Sequence, residues 1–161
     1  MPDIVPCLWF DTQAEEAANF YVSIFPNSKV TNVDHYGEAG PRPAGTVITA
    51  SFELDGKPFL GLNGGPEFTF SEAVSMQVFC ADQAEVDHYW DSLTADGGQE
   101  SQCGWLKDRF GFSWQIVPTR LTELLQDPDP GRAQRAMGAM LQMNKIVIAD
   151  LETAADSAGL S

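Results

Sequence analysis

The sequence predicts an α+β fold in which two copies of a βαβββ module, 3–66 and 72–118, close around a small-molecule pocket and are followed by C-terminal helices over 119–161. Three observations carry this. The order of strand, helix and strands restarts after Gly64-Gly65-Pro66. Gln13-Ala14-Glu15 and Gln83-Ala84-Glu85 match at an offset of 70, with Trp9 over Phe79 and Phe20 over Trp90. Each module closes with a hairpin that its turn residues announce. At 161 residues and 43% hydrophobic, the chain fills one core, so a single, internally divided domain is expected.

Ile4 to Phe10 is a short apolar run, read as a strand, and Asp11 is the expected N-cap of the helix that follows. From Thr12 to Phe25, the residues Ala14, Ala17, Ala18, Tyr21, Ile24 and Phe25 recur at helical spacing and make one apolar face, stopped by Pro26-Asn27-Ser28. Lys29 to Tyr36 alternates as a strand, 37–45 is a Gly/Pro-rich loop, and Thr46 to Leu54 reads as a long strand. Asp55-Gly56 suits a type I′ turn, which needs positive φ at both central residues, so Lys57 to Asn63 returns as the hairpin partner.

In the second module Ala73 to Cys80 is an apolar strand leading through Asp82 into a helix over Gln83 to Leu93, ended by Asp96-Gly97-Gly98. A weak strand covers Gln99 to Cys103, and Trp105 to Asp108 pairs with Phe112 to Val117 through a turn at Arg109 to Gly111. Beyond Pro118 the pattern becomes helical: Leu121, Leu124 and Leu125 share a stripe, Asp127-Pro128-Asp129-Pro130 ends it, a second helix runs from Arg132 to Met143, and a third segment spans Ile146 to Ala155. Met137, Met140, Leu141 and Met143 fall mostly on one side and suit core or subunit packing.

Nine basic against 23 acidic residues give a net charge of −14, which repels phosphate backbones and anionic lipid, so neither nucleic acid nor membrane is an expected partner. No apolar run approaches the roughly 20 residues that span a bilayer. Cys7, Cys80 and Cys103 show no metal-knuckle spacing and read as reduced thiols of a cytoplasmic protein.

Phe59 to Pro66, Cys103 to Gly111, Ser113 to Pro118, Asp127-Pro128-Asp129 and Met140-Leu141-Gln142-Met143 together resemble the PhnB-like branch of the vicinal oxygen chelate superfamily, the glyoxalase, bleomycin-resistance and dioxygenase group. The resemblance implies eight strands in two curled mixed sheets, a ligand cleft and homodimer formation. It also implies, in metal-dependent members, His, Glu or Gln donors near Pro6, Gly61 or Asn63, Met76 and Gln115. Pro and Met cannot be such donors, and two neutral amides replace a divalent ion's water poorly, so neither a metal nor another cofactor is expected. His88 reads as a solvent-facing helix residue and His35 as the end of a strand.

If Asp108 pairs with Phe112, then Trp105, Lys107, Ser113 and Gln115 share one face of the hairpin, and Leu106 and Trp114 the other. The first face is assigned to the cleft, with an aromatic plate, a cation and an amide. Phe59, Gly61 and Asn63 likewise face together opposite Phe52, Ala50 and Ile48, with Gly61 leaving space and Asn63 offering donor and acceptor. The candidate ligand-binding residues are therefore Gly61, Asn63, Trp105, Lys107, Ser113 and Gln115, and the expected ligand is an anionic or carbonyl-bearing small molecule. The competing reading is a metal-dependent lyase, isomerase or dioxygenase with ligands from Asn63, Gln115, His35 and Glu53. Proteins of this branch often carry a demethylubiquinone methyltransferase label, but no strand here leads into a glycine-rich loop of the kind that nucleotide-type cofactors use.

Overall fold

The computed structural model describes residues 2–157, which divide into two compact units between Phe70 and Ser71. In the first unit β1 (Cys7–Phe10) is followed by α1 (Ala14–Ile24), β2 (Lys29–His35), β3 (Val47–Leu54) and β4 (Lys57–Asn63). The sheet order is β1-β4-β3-β2, with β1 parallel to β4 and the other pairs antiparallel. Asp55 and Gly56 adopt φ of 51° and 76°, as the predicted turn requires, and Phe52↔Phe59 and Ala50↔Gly61 pair in the expected register.

Helix α1 buries Ala14, Ala17, Ala18, Tyr21 and Ile24 against this sheet. Its small residues let the backbone approach closely: a Cβ at Gly61 would lie 3.2 Å from that of Ala14. The start of α1 differs from expectation. Asp11 is not its cap, because the helix begins at Ala14 and the N-cap position is Gln13, which makes no side-chain cap bond. Instead the Ala14 amide donates to Asn63 Oδ1 at 2.8 Å, so β4 caps the helix from outside it.

The second unit repeats the order with β5 (Ser75–Cys80), α2 (Gln83–Thr94), a 3₁₀ turn at Ala95–Gly97, β6 (Gln99–Glu100), β7 (Trp105–Lys107) and β8 (Ser113–Pro118), arranged β5-β8-β7-β6. Here α2 caps itself: Asp82 accepts from the Glu85 amide while the Glu85 carboxylate accepts from the Ala81 amide. Strand β6 is shorter than the predicted 99–103. Cys103 turns to φ 60°, and the Cys103 and Gly104 amides donate to the Met143 and Asn144 carbonyls rather than to a neighbouring strand.

Three helices follow, α3 (Thr119–Leu125), α4 (Pro130–Met140) and α5 (Ile148–Asp156). They enclose a core of Leu121, Leu124, Ala136, Ile146, Leu151 and Ala155, with Met140 and Met143 packed against it. The methionine stripe is thus split, since Met137 and Leu141 stay 47% and 54% exposed. Gln83 of α2 fastens this extension at both ends of its amide, donating to the Ile146 carbonyl and accepting from the Ile148 amide. Among the described residues no helix is long and apolar enough to cross a membrane.

Candidate ligand-binding face

Strand alternation sorts the second unit's sheet into two faces. Leu106, Trp114 and Ile116 are buried on the face that β7 and β8 turn to α2, whose own buried residues are Val86, Trp90 and Leu93. Trp105, Lys107, Ser113 and Gln115 lie on the other face, as the sequence predicts, because Trp105 pairs with Gln115 and Lys107 with Ser113. The parallel neighbour β5 adds Ser75 opposite Ser113 and Gln77 opposite Gln115. Gln77 Nε2 donates to Gln115 Oε1 at 3.3 Å, and Gln115 Nε2 donates to Ser75 Oγ at 2.8 Å.

The hairpin that displays these groups is fixed by Asp108, which is 2% exposed. Its Oδ1 accepts from the Phe110 and Phe112 amides at 2.9 and 3.0 Å, and its Oδ2 from Trp114 Nε1 at 2.9 Å. Three donors on one carboxylate hold the turn and lock the strand register.

Beside this hairpin is a hollow of about 170 Å³, bordered by Glu72, Glu100, Ser101, Trp105, Lys107 and Ser113. Lys107 Nζ forms an ion pair with Glu72 at 2.5 Å, and the Lys107 hydrogen bond holds the Glu72 carboxyl below its ordinary value. Glu100 is occupied on one oxygen by Trp90 Nε1. Ser113 is 1% exposed, and its buried Oγ has no hydrogen-bond partner among the described residues. A buried hydroxyl without a partner costs free energy that a bound acceptor or donor would recover.

Gly61 and Asn63 have other surroundings within their own unit. Both belong to the first unit on the side of β4 that meets α1, and the space at Gly61 is taken by Ala14. Asn63 borders another hollow, of about 500 Å³, with Thr12, Glu15, Arg42 and Thr46, but its amide is committed at both atoms, to the Ala14 amide and to the Val47 carbonyl at 3.1 Å. Of the six predicted residues, Trp105, Lys107 and Ser113 share a hollow, Gln115 continues their face, and Gly61 and Asn63 seat a helix.

Within the second unit, the two positions that the resemblance designates as donors fall on opposite faces of the sheet. Met76 pairs with buried Trp114 and shares its face, while Gln115 points to the other. Asn63 is spent on the α1 cap. Of the alternative donors in the first unit, Glu53 pairs with Lys29 at one end of β2 and His35 with Val47 at the other. Six residues of strand separate them, roughly 20 Å. Among the described residues no three His, Cys, Asp or Glu side chains gather as a metal cluster.

Two four-stranded mixed sheets, each from a βαβββ unit and neither closed into a barrel, define the vicinal oxygen chelate class. Solved structures agree on the fold. A fosfomycin resistance protein from Listeria monocytogenes, determined with Mn(II) and sulfate, superposes with TM-score 0.51 at 12% identity, covering 73% of this chain and 89% of that one. A protein from Pseudomonas aeruginosa gives TM-score 0.60 at 19% identity over 73% of this chain and 98% of its own. The chain belongs to the family described as 3-demethylubiquinone-9 3-methyltransferase, whose profile matches residues 2–117. The PhnB protein from Bacillus cereus, which carries the same description, is 35% identical over 73% of this chain and 99% of that chain, with TM-score 0.66. Helices α3 to α5 lie beyond the end of the profile match. No curated protein matches the chain.

Sequence reasoning missed Glu72, Ser75, Gln77, Glu100 and Ser101. A signal existed for Gln77, because alternation with Met76 and Val78 sets it on the polar face. None existed for Glu72, which reaches Lys107 across 35 positions of chain.

Proposed function

We propose that this PhnB-like protein binds a small anionic or carbonyl-bearing molecule on the face formed by β5, β7 and β8. The observation that carries this is the unpartnered hydroxyl of Ser113, buried beside a hollow that also presents Lys107 and the half-exposed ring of Trp105. Trp105 offers a flat apolar surface, Lys107 a cation and Ser113 a donor, polar groups converging beside an aromatic wall, while Gln115, bonded to Ser75 and Gln77, continues the polar face beside them. No reaction is assigned.

Methyl transfer is not part of this reading despite the family's description. A nucleotide-type methyl donor is ordinarily held where a parallel strand turns through glycines into a helix. Here β1 passes into α1 through Asp11-Thr12-Gln13, and β5 into α2 through Ala81-Asp82. The reading extends to a cytoplasmic protein and to a homodimer, the latter supported by the exposed Met137 and Leu141 at the end of α4.

The test is a thermal-shift screen of small carboxylates and ketones against the wild type and Lys107→Met. A ligand that stabilises the wild type and loses affinity with Lys107→Met supports the reading. Equal affinity in both removes Lys107 from the site.

A further inference from the structure

Lys107 and Ser113 are direct cross-strand partners on one face, so their side chains start about 5 Å apart. Their states differ. Lys107 is already neutralised by Glu72, whereas the Ser113 hydroxyl is buried without a partner. Glu72 therefore satisfies half of a two-point anion site. It comes from 71–74, the exposed connection that precedes β5, and its own side chain is 61% exposed.

Resting on the binding face proposed above, we infer that Glu72 is a built-in stand-in for a ligand carboxylate, and that the site takes a small aromatic monocarboxylate which displaces it. One oxygen of the incoming carboxylate accepts from Lys107 Nζ and the other from Ser113 Oγ, a bridge that the neighbouring strand positions allow and that Glu72 does not make. The charge of the ligand follows from the neighbours. Lys107 is the one cation among the residues that border the hollow, so one negative charge can be matched, while a dianion such as a phosphate monoester would leave its second charge without a counter-ion. The hollow of about 170 Å³ limits the ligand to a small body, and Trp105 on its wall selects a flat ring.

Displacement also makes the site self-protecting. Without ligand, Glu72 keeps the ammonium paired and excludes weakly held anions; with ligand, it swings into solvent, where an exposed carboxylate is well hydrated.

The experiment titrates the isotopically labelled full chain with benzoate and with its neutral isostere benzamide, following backbone amides by NMR, in the wild type, Glu72→Gln and Lys107→Met. Benzoate is expected to shift the amides of Trp105, Lys107 and Ser113. Its affinity should rise about two- to fivefold with Glu72→Gln, the worth of an exposed ion pair that no longer competes. It should fall about tenfold or more with Lys107→Met, which removes a charge-assisted bond. Benzamide should be indifferent to both changes. Benzoate affinity equal in the wild type and Glu72→Gln, or a matching gain for benzamide, overturns the stand-in role and leaves the binding face intact. Amides of Trp105, Lys107 and Ser113 unmoved by both probes in all three proteins overturn the stand-in role and the binding face together.

Discussion

Ser113 and Lys107 face each other across β8 and β7, and the buried hydroxyl of the first is unpartnered while the ammonium of the second is held by Glu72. A group that is desolvated but unpaired weakens the fold that contains it, so its presence beside a hollow ties stability to binding.

Ser113→Ala should therefore separate the two. Removing the orphan hydroxyl leaves stability unchanged or raises it by up to about 1 kcal/mol, while ligand affinity falls several-fold. Urea denaturation and the NMR titration, run on the same variant, check this. A loss of stability would mean that the hydroxyl has a structural partner.

Asn63→Ala should cost about 1–3 kcal/mol, because it leaves both the Ala14 amide and the Val47 carbonyl without their bonds. The midpoint of urea unfolding measures it. A neutral result would show that α1 does not depend on its cap from β4.

Asp108→Asn keeps the size of the side chain but sets an amide N–H₂ against one of its donors, the Trp114 indole or the turn amides. The expected loss is about 2–4 kcal/mol, with a change in the near-ultraviolet circular dichroism of Trp114.

Cys80 is fully buried, and burial, reinforced by the charges of Glu85 and Asp82, pushes its thiol up from 9.0 to about 12. The thiolate forms more readily in the unfolded chain. Its contribution to stability is thus complete below about pH 9 and is lost as pH rises toward 12. Native protein at pH 8 should leave Cys80 unlabelled by a thiol reagent while exposed Cys7 reacts, and unfolding should release Cys80.

Protein purified without chelator should carry no stoichiometric zinc, nickel, manganese or iron, and an S-adenosylmethionine titration should give neither heat nor thermal shift. Elemental analysis and calorimetry check the two. Stoichiometric metal would show that donors outside the positions considered above assemble a site.

Much of the fold could be read from local chemistry. The Asp55-Gly56 turn set the first hairpin to Lys57–Asn63, because both residues tolerate positive φ. In the second, alternation alone placed Trp105, Lys107, Ser113 and Gln115 on one face. What escaped depended on contacts distant in sequence. Asn63 looks like a cleft amide until the end of α1, 49 positions earlier, is seen to rest on it. Strand β6 stops short because Cys103 and Gly104 are claimed by carbonyls that follow α4, and Glu72 lies in a loop with no pattern of its own.

Amide mapping of the labelled wild type against a library of small carboxylates and carbonyl compounds tests the binding face most directly. The account predicts shifts centred on Trp105, Lys107, Ser113 and Gln115. Hits clustered instead around Thr12, Arg42 and Thr46, at the hollow beside α1, would contradict it.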